Sequence, residues 1–215
     1  EVDTNFSADP NTSELVVTAM DSTVLMHLDE TVKTWANMKD SDVATAIFGD
    51  AKYKFAAIVE DTQWSRHEDE HTLTQRGTDI QFLKQLANRN GYECFVELND
   101  AGDVEGHFHP PRHDGQPQGT LTVNMGAATN VNRFRARFDM LAPAKAKAAT
   151  LDPDDKSSQQ GQADDASQAD GMGAEPSVPA DRPRTVLLSE LGMAQSGEVQ
   201  RYAQAVVDQS SWSII

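Results

Sequence analysis

The stretch from Thr78 to Leu98 leaves the chain few choices. Thr78 stands where a hydroxyl can accept from the orphan amides of a first helical turn, and Gln81, three residues on, can reach back to complete a capping box. Phe82, Leu83, Leu86 and Ala87 then fall on one apolar stripe, and Asn90-Gly91 supplies a residue able to take positive φ where the helix must end. After the glycine, Tyr92, Cys94, Val96 and Leu98 alternate with Glu93, Phe95 and Glu97, a period of two that predicts a strand with one apolar face. The unit is helix, tight turn, strand.

Its neighbours follow in a definite order. Ser13 to Ala19 is a short β-rich run, and Asp21 can cap a short helix in which Val24, Leu25 and Leu28 share a face. Ser41-Asp42 caps a two-turn helix over Val43–Phe48, with Gly49 as its terminator. Tyr53 to Val59 is apolar enough for a buried strand, and a polar, histidine-bearing approach from Glu60 to Arg76 leads to the helix at 78. Beyond it, Asn99 to Asp103 is a turn by composition, joining the strand at 92–98 to Val104–His109 as a hairpin that Pro110-Pro111 ends. Thr120–Met125 is a candidate strand; from Arg133 a cleaner alternation sets Phe134, Ala136, Phe138 and Met140 against Arg133, Arg135, Arg137 and Asp139. Composition alone makes Ala142 to Pro183 a linker. Ser196 can cap a helix carrying Val199, Tyr202, Ala203, Val206 and Val207 and ending near Ser210, and Trp212–Ile215 has the look of a strand cut short.

Length and charge narrow the function classes. At 215 residues the chain can hold one large domain or two small ones. No run approaches the roughly 18 apolar residues of a membrane span. Glu1 is not an initiator methionine and no export signal follows it, so the chain is expected to be cut from something longer. The single cysteine, Cys94, forbids an internal disulfide, and on the apolar face of a predicted strand it is expected as a buried thiol. A net charge of −16 argues against duplex DNA, whose phosphates need cations to displace their counterions. Between Asp152 and Asp181 eight acids stand against one base, Lys156, so that segment alone holds 7 of the 16 excess charges and is expected as solvated chain. The acidity elsewhere suits solubility, a salt-adapted source, or a lumen that repels a polyanion.

Three groups of residues invite a chemical reading. His107 and His109 project to one face of a strand and could share an ion, with His113 and Asp114 close by in sequence; two adjacent prolines and an exposed hairpin account for them better, as polar surface. His67-Glu68-Asp69-Glu70-His71 spells the zinc-peptidase word, but that word needs a helix presenting both histidines, and no apolar stripe or cap supplies one. Arg133, Arg135 and Arg137 form a basic stripe that fits a subunit contact or a solvated strand face. No carboxylate pair is set apart by an apolar environment for acid catalysis, and no phosphate loop, dinucleotide fingerprint or nucleophile elbow occurs. The expectation is a protein with no catalytic, cofactor-binding or metal residues.

Asp79, Phe82, Leu83, Leu86, Ala87, Gly91 and Tyr92, followed by a strand, resemble the late control protein D family of phage tails, which includes baseplate hubs and the spike-hub proteins of contractile injection and type VI secretion systems. The resemblance extends in consecutive order from about Leu15 to His109: a strand ending at an aspartate, a Ser-Asp helix ending at a glycine, a strand, and a polar approach in which Gln75 precedes the next helix. It implies an α+β, β-rich fold holding parts of two tube-like β-barrels around a small helix-strand module. Residues 1–28 would end the first barrel, 29–112 form the module, and 113–215 begin the second barrel, with a strand near 143–151 and an acidic disordered insertion at about 157–180. The strand near 143–151 departs from the family in its small side chains. The implied function is structural: a homotrimeric hub contacting tail tube and spike proteins, with no membrane, specific nucleic-acid or cofactor role, in a virion tail or injection particle assembled in a bacterial or archaeal cytoplasm. The competing reading is a tail-associated hydrolase or zinc peptidase using His67, Glu68 and His71.

Overall fold

The computed structural model describes residues 1–66, 72–112, 119–135, 145–151, 156–167, 184–189 and 195–211. The strands are β1 (Val2–Asn5), β2 (Glu14–Val17), β3 (Glu30–Trp35), β4 (Met38–Lys39), β5 (Ala56–Val59), β6 (Ser65–Arg66), β7 (Leu73–Thr78), β8 (Glu93–Leu98), β9 (Val104–His109), β10 (Lys145–Leu151), β11 (Ser158–Ala163) and β12 (Thr185–Leu188). The helices are α1 (Asp40–Phe48), α2 (Asp79–Asn90) and α3 (Ser196–Ser211). The fold is α+β and strand-rich, built from sheets of two or three strands, and among the described residues no sheet closes into a barrel.

The helix-turn-strand unit forms as its residues dictate. Thr78 caps α2, its hydroxyl accepting from the Gln81 amide while the Gln81 side chain accepts from the Thr78 amide. Gly91 ends the helix at φ 68°, in the left-handed region that costs other residues more. α2 buries Ile80, Phe82, Leu83, Leu86 and Ala87, each large side chain contributing about 1.5–3 kcal/mol when fully covered. In the sheet ordered β5-β9-β8, β9 is central, antiparallel to β8 and parallel to β5. Gly106 of β9 admits the Phe48 ring of α1 at a distance no Cβ would allow: one built there would lie 2.3 Å from Phe48 Cδ1. One core thus joins Met26, Trp35, Val43, Ile47, Phe48, Leu83, Leu86, Val96 and Phe108.

Buried polar pairs fasten this core. Trp35 Nε1 donates to Gln75 Oε1 at 3.0 Å, and the Gln75 amide in turn donates to Asp79, which also accepts from the Tyr53 hydroxyl at 2.7 Å. Asp40, at the start of α1, accepts from Arg89 Nε and from Asn90 Nδ2, both at 2.6 Å, tying α1 to the last turn of α2. A second, smaller core forms where α3 lies on the sheet ordered β11-β10-β12, burying Ala146, Ala148, Ala163, Val199, Ala203 and Val207. The small side chains of β10 find their reason here. A Cβ on Gly161 would meet the Gln200 backbone of α3 at 2.6 Å, so the helix lies too close to the sheet for bulky residues.

The structure corrects several expectations. Asp21 does cap a helix, accepting from the Thr23 amide, but the helix is 3-10 (Ser22–His27). With three residues per turn, Met26 is the residue turned fully inward, while Leu25 and Leu28 stay exposed. α1 begins at Asp40, not after Ser41-Asp42: the Asp42 carboxylate accepts from the Lys39 amide, and the Ser41 amide donates to the Thr62 hydroxyl. β5 is a short edge strand whose Ala56 and Ala57 are exposed, not a buried central one. The polar approach ends in a strand, β7, paired with β3, which its mixed polar sequence concealed. Thr120–Met125 is no strand, because Thr122 and Asn130 bond each other's backbone across a local loop and Asn124 sits at φ 56°. Part of the expected disordered insertion, Ser158–Ala163, is β11, ordered by pairing with β10 under α3. Residues 168–183, the outer part of the alternation from Arg133 and the strand proposed for 212–215 lie outside the described residues.

Candidate functional site

Two arrangements stand out once the cores are accounted for. The first is the N-terminal hairpin. β1 and β2 pair antiparallel with Val2 opposite Val17 and Thr4 opposite Leu15, which sets Val2, Leu15 and Val17 on one face. Every residue of both strands is exposed, Leu15 at 62%, Val17 at 61% and the adjoining Phe6 at 86%. Both outer edges of this two-stranded sheet are without a hydrogen-bonded strand among the described residues. Open strand edges beside an exposed apolar face are where a further strand can add.

The second is a histidine pair on β9. The register of the β8-β9 hairpin sets Glu93 opposite His109, Phe95 opposite His107 and Glu97 opposite Glu105, all on the sheet face turned away from Phe48 and Gly106. His107 and His109 are only 7% and 4% exposed. Phe95 stacks flat on His107 with ring centroids 4.6 Å apart and meets His109 edge-on at 5.8 Å. His109 Nδ1 lies 2.8 Å from the Pro110 carbonyl, and His107 Nδ1 lies 3.3 Å from His109 Nε2. The far nitrogen, His107 Nε2, has no hydrogen-bond partner and faces Glu97 Oε1 at 3.2 Å and Glu105 Oε2 at 3.6 Å. The two histidines share a face as expected, but they are interior groups under an aromatic ring and not hairpin surface. Among the described residues no group of three or more histidine, cysteine or acidic side chains is arranged to hold a metal ion.

The Alg8 N-terminal domain family model matches residues 2–215, nearly the whole chain. The chain belongs to that family. No curated protein matches it. Among solved structures, the domain is similar to the 43 kDa tail protein of prophage MuSo2 from Shewanella oneidensis (TM-score 0.59, 14% identity), covering 100% of this chain and 60% of that one. It is also similar to a tail protein from Neisseria meningitidis MC58 (TM-score 0.56, 14% identity), covering 94% of this chain and 56% of that one. The Alg8 N-terminal domain therefore has the fold of these tail proteins and spans somewhat more than half their length. The matching family bears a different name from the late control protein D family that the helix motif resembles.

Among the described residues of this Alg8 N-terminal domain, the remaining sequence candidates do not gather into a site. Cys94 is largely buried beside the core, and burial pushes its thiol up to about 12, which keeps it protonated and unreactive at neutral pH. Arg133 and Arg135 are exposed on an irregular segment, not on a strand face. Arg137, His113, Asp114 and the stretch His67-Glu68-Asp69-Glu70-His71 lie outside the described residues. Glu97 and Glu105 escaped the sequence reading, although the Asn99–Asp103 turn already implied the register that sets them opposite each other beside His107. The hydrogen-bonded chain of Trp35, Gln75, Asp79 and Tyr53 was missed because its links to Trp35 and Tyr53 span 40 and 26 positions and nothing local marks them. Burial first, and then Asp79, hold the Tyr53 phenol above its ordinary range, which suits a fixed donor and not an acid-base catalyst.

Proposed function

We propose that this domain is a structural part of a phage tail or contractile injection system: the middle portion of a baseplate hub that joins the tail tube to the spike. The observation that carries the reading is the correspondence of fold along the full chain with two tail proteins. The N-terminal hairpin, apolar on one face and open at both edges, supports it, since a pair of strands is marginal alone and gains by adding to a larger sheet. In this reading residues 1–28 close one tube-like barrel, 29–112 form the supporting module and 113–215 open a second barrel. Three copies make a ring between tube and spike, and the interfaces are extensive and partly hydrophobic as permanent assemblies require. The role is mechanical and involves no catalysis; the chain resides in the tail or injection particle, assembled in a bacterial or archaeal cytoplasm. Its net charge of −16 suits a ring whose lumen repels a passing polyanion.

The test is to tag the full-length parent protein in its native host, isolate it and identify what accompanies it. Tube, sheath or spike proteins, together with a trimer by native mass spectrometry, are the expected result. Recovery of none of them, with stoichiometric zinc and a peptidoglycan- or peptide-hydrolysing activity that His67→Ala abolishes, would replace the hub with a peptidase.

A further inference from the structure

The helix α3 is covered on two opposite sides. Val199, Ala203 and Val207, spaced four apart, face the sheet β11-β10-β12 and form the smaller core with Ala146, Ala148 and Ala163. Gly197, Arg201 and Ala205, also spaced four apart, point the other way and meet residues at the margin of the larger core. A Cβ on Gly197 would lie 2.9 Å from Trp64 Cζ2, and one on Gly91, at the end of α2, would lie 3.0 Å from Ala205 Cβ. Between these two points the Arg201 guanidinium stands 5.8 Å from the centre of the Tyr92 ring, whose hydroxyl donates to the Asp61 carbonyl at 2.9 Å. The two sides are held differently. Toward its own sheet, Gln200 accepts from the Gln162 amide at 2.8 Å and donates to the Gln162 carbonyl at 2.7 Å, and Gln204 donates to the Asp165 carbonyl at 2.8 Å. Asp208 accepts from the Ser167 amide and hydroxyl, both at 2.6 Å. These bonds make α3 and its sheet one unit.

The core inside that unit is thin. Among the described residues its buried side chains are four alanines and two valines, where the larger core holds Phe48, Phe82, Leu83, Leu86 and Phe108. Three short strands and one helix over alanine bury too little apolar surface to offset the entropy of ordering them. The outward side of α3 supplies the remainder, through close packing at Gly197 and Ala205 and the cation over Tyr92. The chain reaches the unit through residues 110–144, whose described stretches carry one short 3-10 turn and neither strand nor α-helix, so the unit is free to leave without pulling on the larger core. We infer that the unit of β10, β11, β12 and α3 keeps its fold only while α3 is seated on Trp64, Gly91 and Tyr92, and that the domain opens at this seat before its larger core gives way. The domain then has two states, one presenting a formed sheet β11-β10-β12 and one in which only the larger core is folded. Anything that assembles on that sheet binds the first state alone and draws the equilibrium toward it.

Native-state hydrogen exchange on the full chain, followed amide by amide in low urea, tests this. The amides of β10, β11 and α3 are expected to exchange as one group, at least about tenfold faster than those of α2 and β9. Two substitutions then attack the seat from its two sides. Trp64→Ala removes it from the side of the larger core, to which Trp64 itself does not belong. Gly197→Leu pries α3 off Trp64 while raising the helix propensity of α3, so a loss of order there comes from the seat and not from a weakened helix. Each variant should speed exchange in the first group by a further tenfold or so and leave the α2 and β9 amides at their wild-type rates. Exchange of both groups in a single event, or equal loss of protection in both on either substitution, would show one cooperative body and overturn the inference. So would a first group that opens early but at the same rate in wild type, Trp64→Ala and Gly197→Leu, because the unit would then stand on its own core.

Discussion

The central module and the N-terminal hairpin are both made from short strands, yet they treat their apolar residues in opposite ways. In the module, β9 runs partly covered at Val104 and Glu105 and buried from Gly106 to His109, under α1 and between two partner strands. In the hairpin, β1 and β2 are exposed along their whole length, Val2, Leu15, Val16 and Val17 included. Most of the module's apolar side chains are explained by contacts within the chain, Val32 and Leu98 excepted; those of the hairpin are not. The difference says where substitutions should act on stability and where they should not, and on the proposed hub reading the hairpin's apolar residues would serve assembly instead.

The sharpest way to break the module is at Gly106. A Cβ there would lie 2.3 Å from the fully buried Phe48 ring, which is rigid and hemmed in by α1. Gly106→Val should cost more than about 3 kcal/mol, enough to unfold a domain of ordinary stability, and circular dichroism melts would show a lost or strongly lowered transition. A wild-type melting curve for this variant would mean that α1 does not pack against β9 as described.

The next largest effect is expected at Asp40, which gathers Arg89 and Asn90 at the junction of the two helices. Asp40→Ala leaves a mostly buried guanidinium without its partner and should cost about 3 kcal/mol in urea denaturation. Combined with Arg89→Met, the loss should shrink, since the stranded charge is gone as well. If the double variant is as unstable as the sum of the singles, the pair is not coupled and the helices are held by apolar contact alone.

These two sites also show what a sequence can disclose. The capping box of α2, its glycine stop and the β8-β9 hairpin were legible because each rests on residues within a few positions of one another: Thr78 with Gln81, Asn90 with Gly91, Asn99 with Asp103. Gly106 against Phe48 and Asp40 with Arg89 span about 50 residues or more, and nothing local marks them. The strand β7 was hidden for the same reason: Leu-Thr-Gln-Arg-Gly-Thr has no apolar alternation, because its inward Gln75 is satisfied by Trp35 and Asp79 instead of by oil. By composition the alanines of β10 read as linker, and only the family resemblance led to the strand expected near 143–151; α3 lying on them is the reason they are small. Of the candidate sites, the shared face of His107 and His109 was legible from strand period, whereas their burial depended on Phe95 from the partner strand.

A smaller effect in the module concerns Cys94. Burial raises its thiol from the ordinary 9.0 to about 12, so between these limits the unfolded chain loses its proton first and stability falls as pH rises. Relative to Cys94→Ala, the wild type should lose about 1 kcal/mol between pH 8 and pH 10. Iodoacetamide at pH 8 should leave the native thiol untouched and label it in 6 M urea. Rapid labelling without denaturant would place Cys94 outside the core and take this part of β8 with it.

The hairpin should give the smallest effect of all on the isolated chain, and that is what makes it informative. Leu15→Ser with Val17→Thr removes apolar surface that is already in water, so the melting of the free domain should change by less than about 0.5 kcal/mol. If the proposed hub role is right, the same pair of substitutions in the full-length parent should abolish its recovery with tail components, because each lost apolar group matters only once it is covered. A double variant that lowers the stability of the free domain by several kcal/mol would show the hairpin folded back on its own chain. A double variant that assembles normally would leave these side chains without a use, and the contrast between module and hairpin would then reflect only tolerance of exposed residues, not selection for a partner surface.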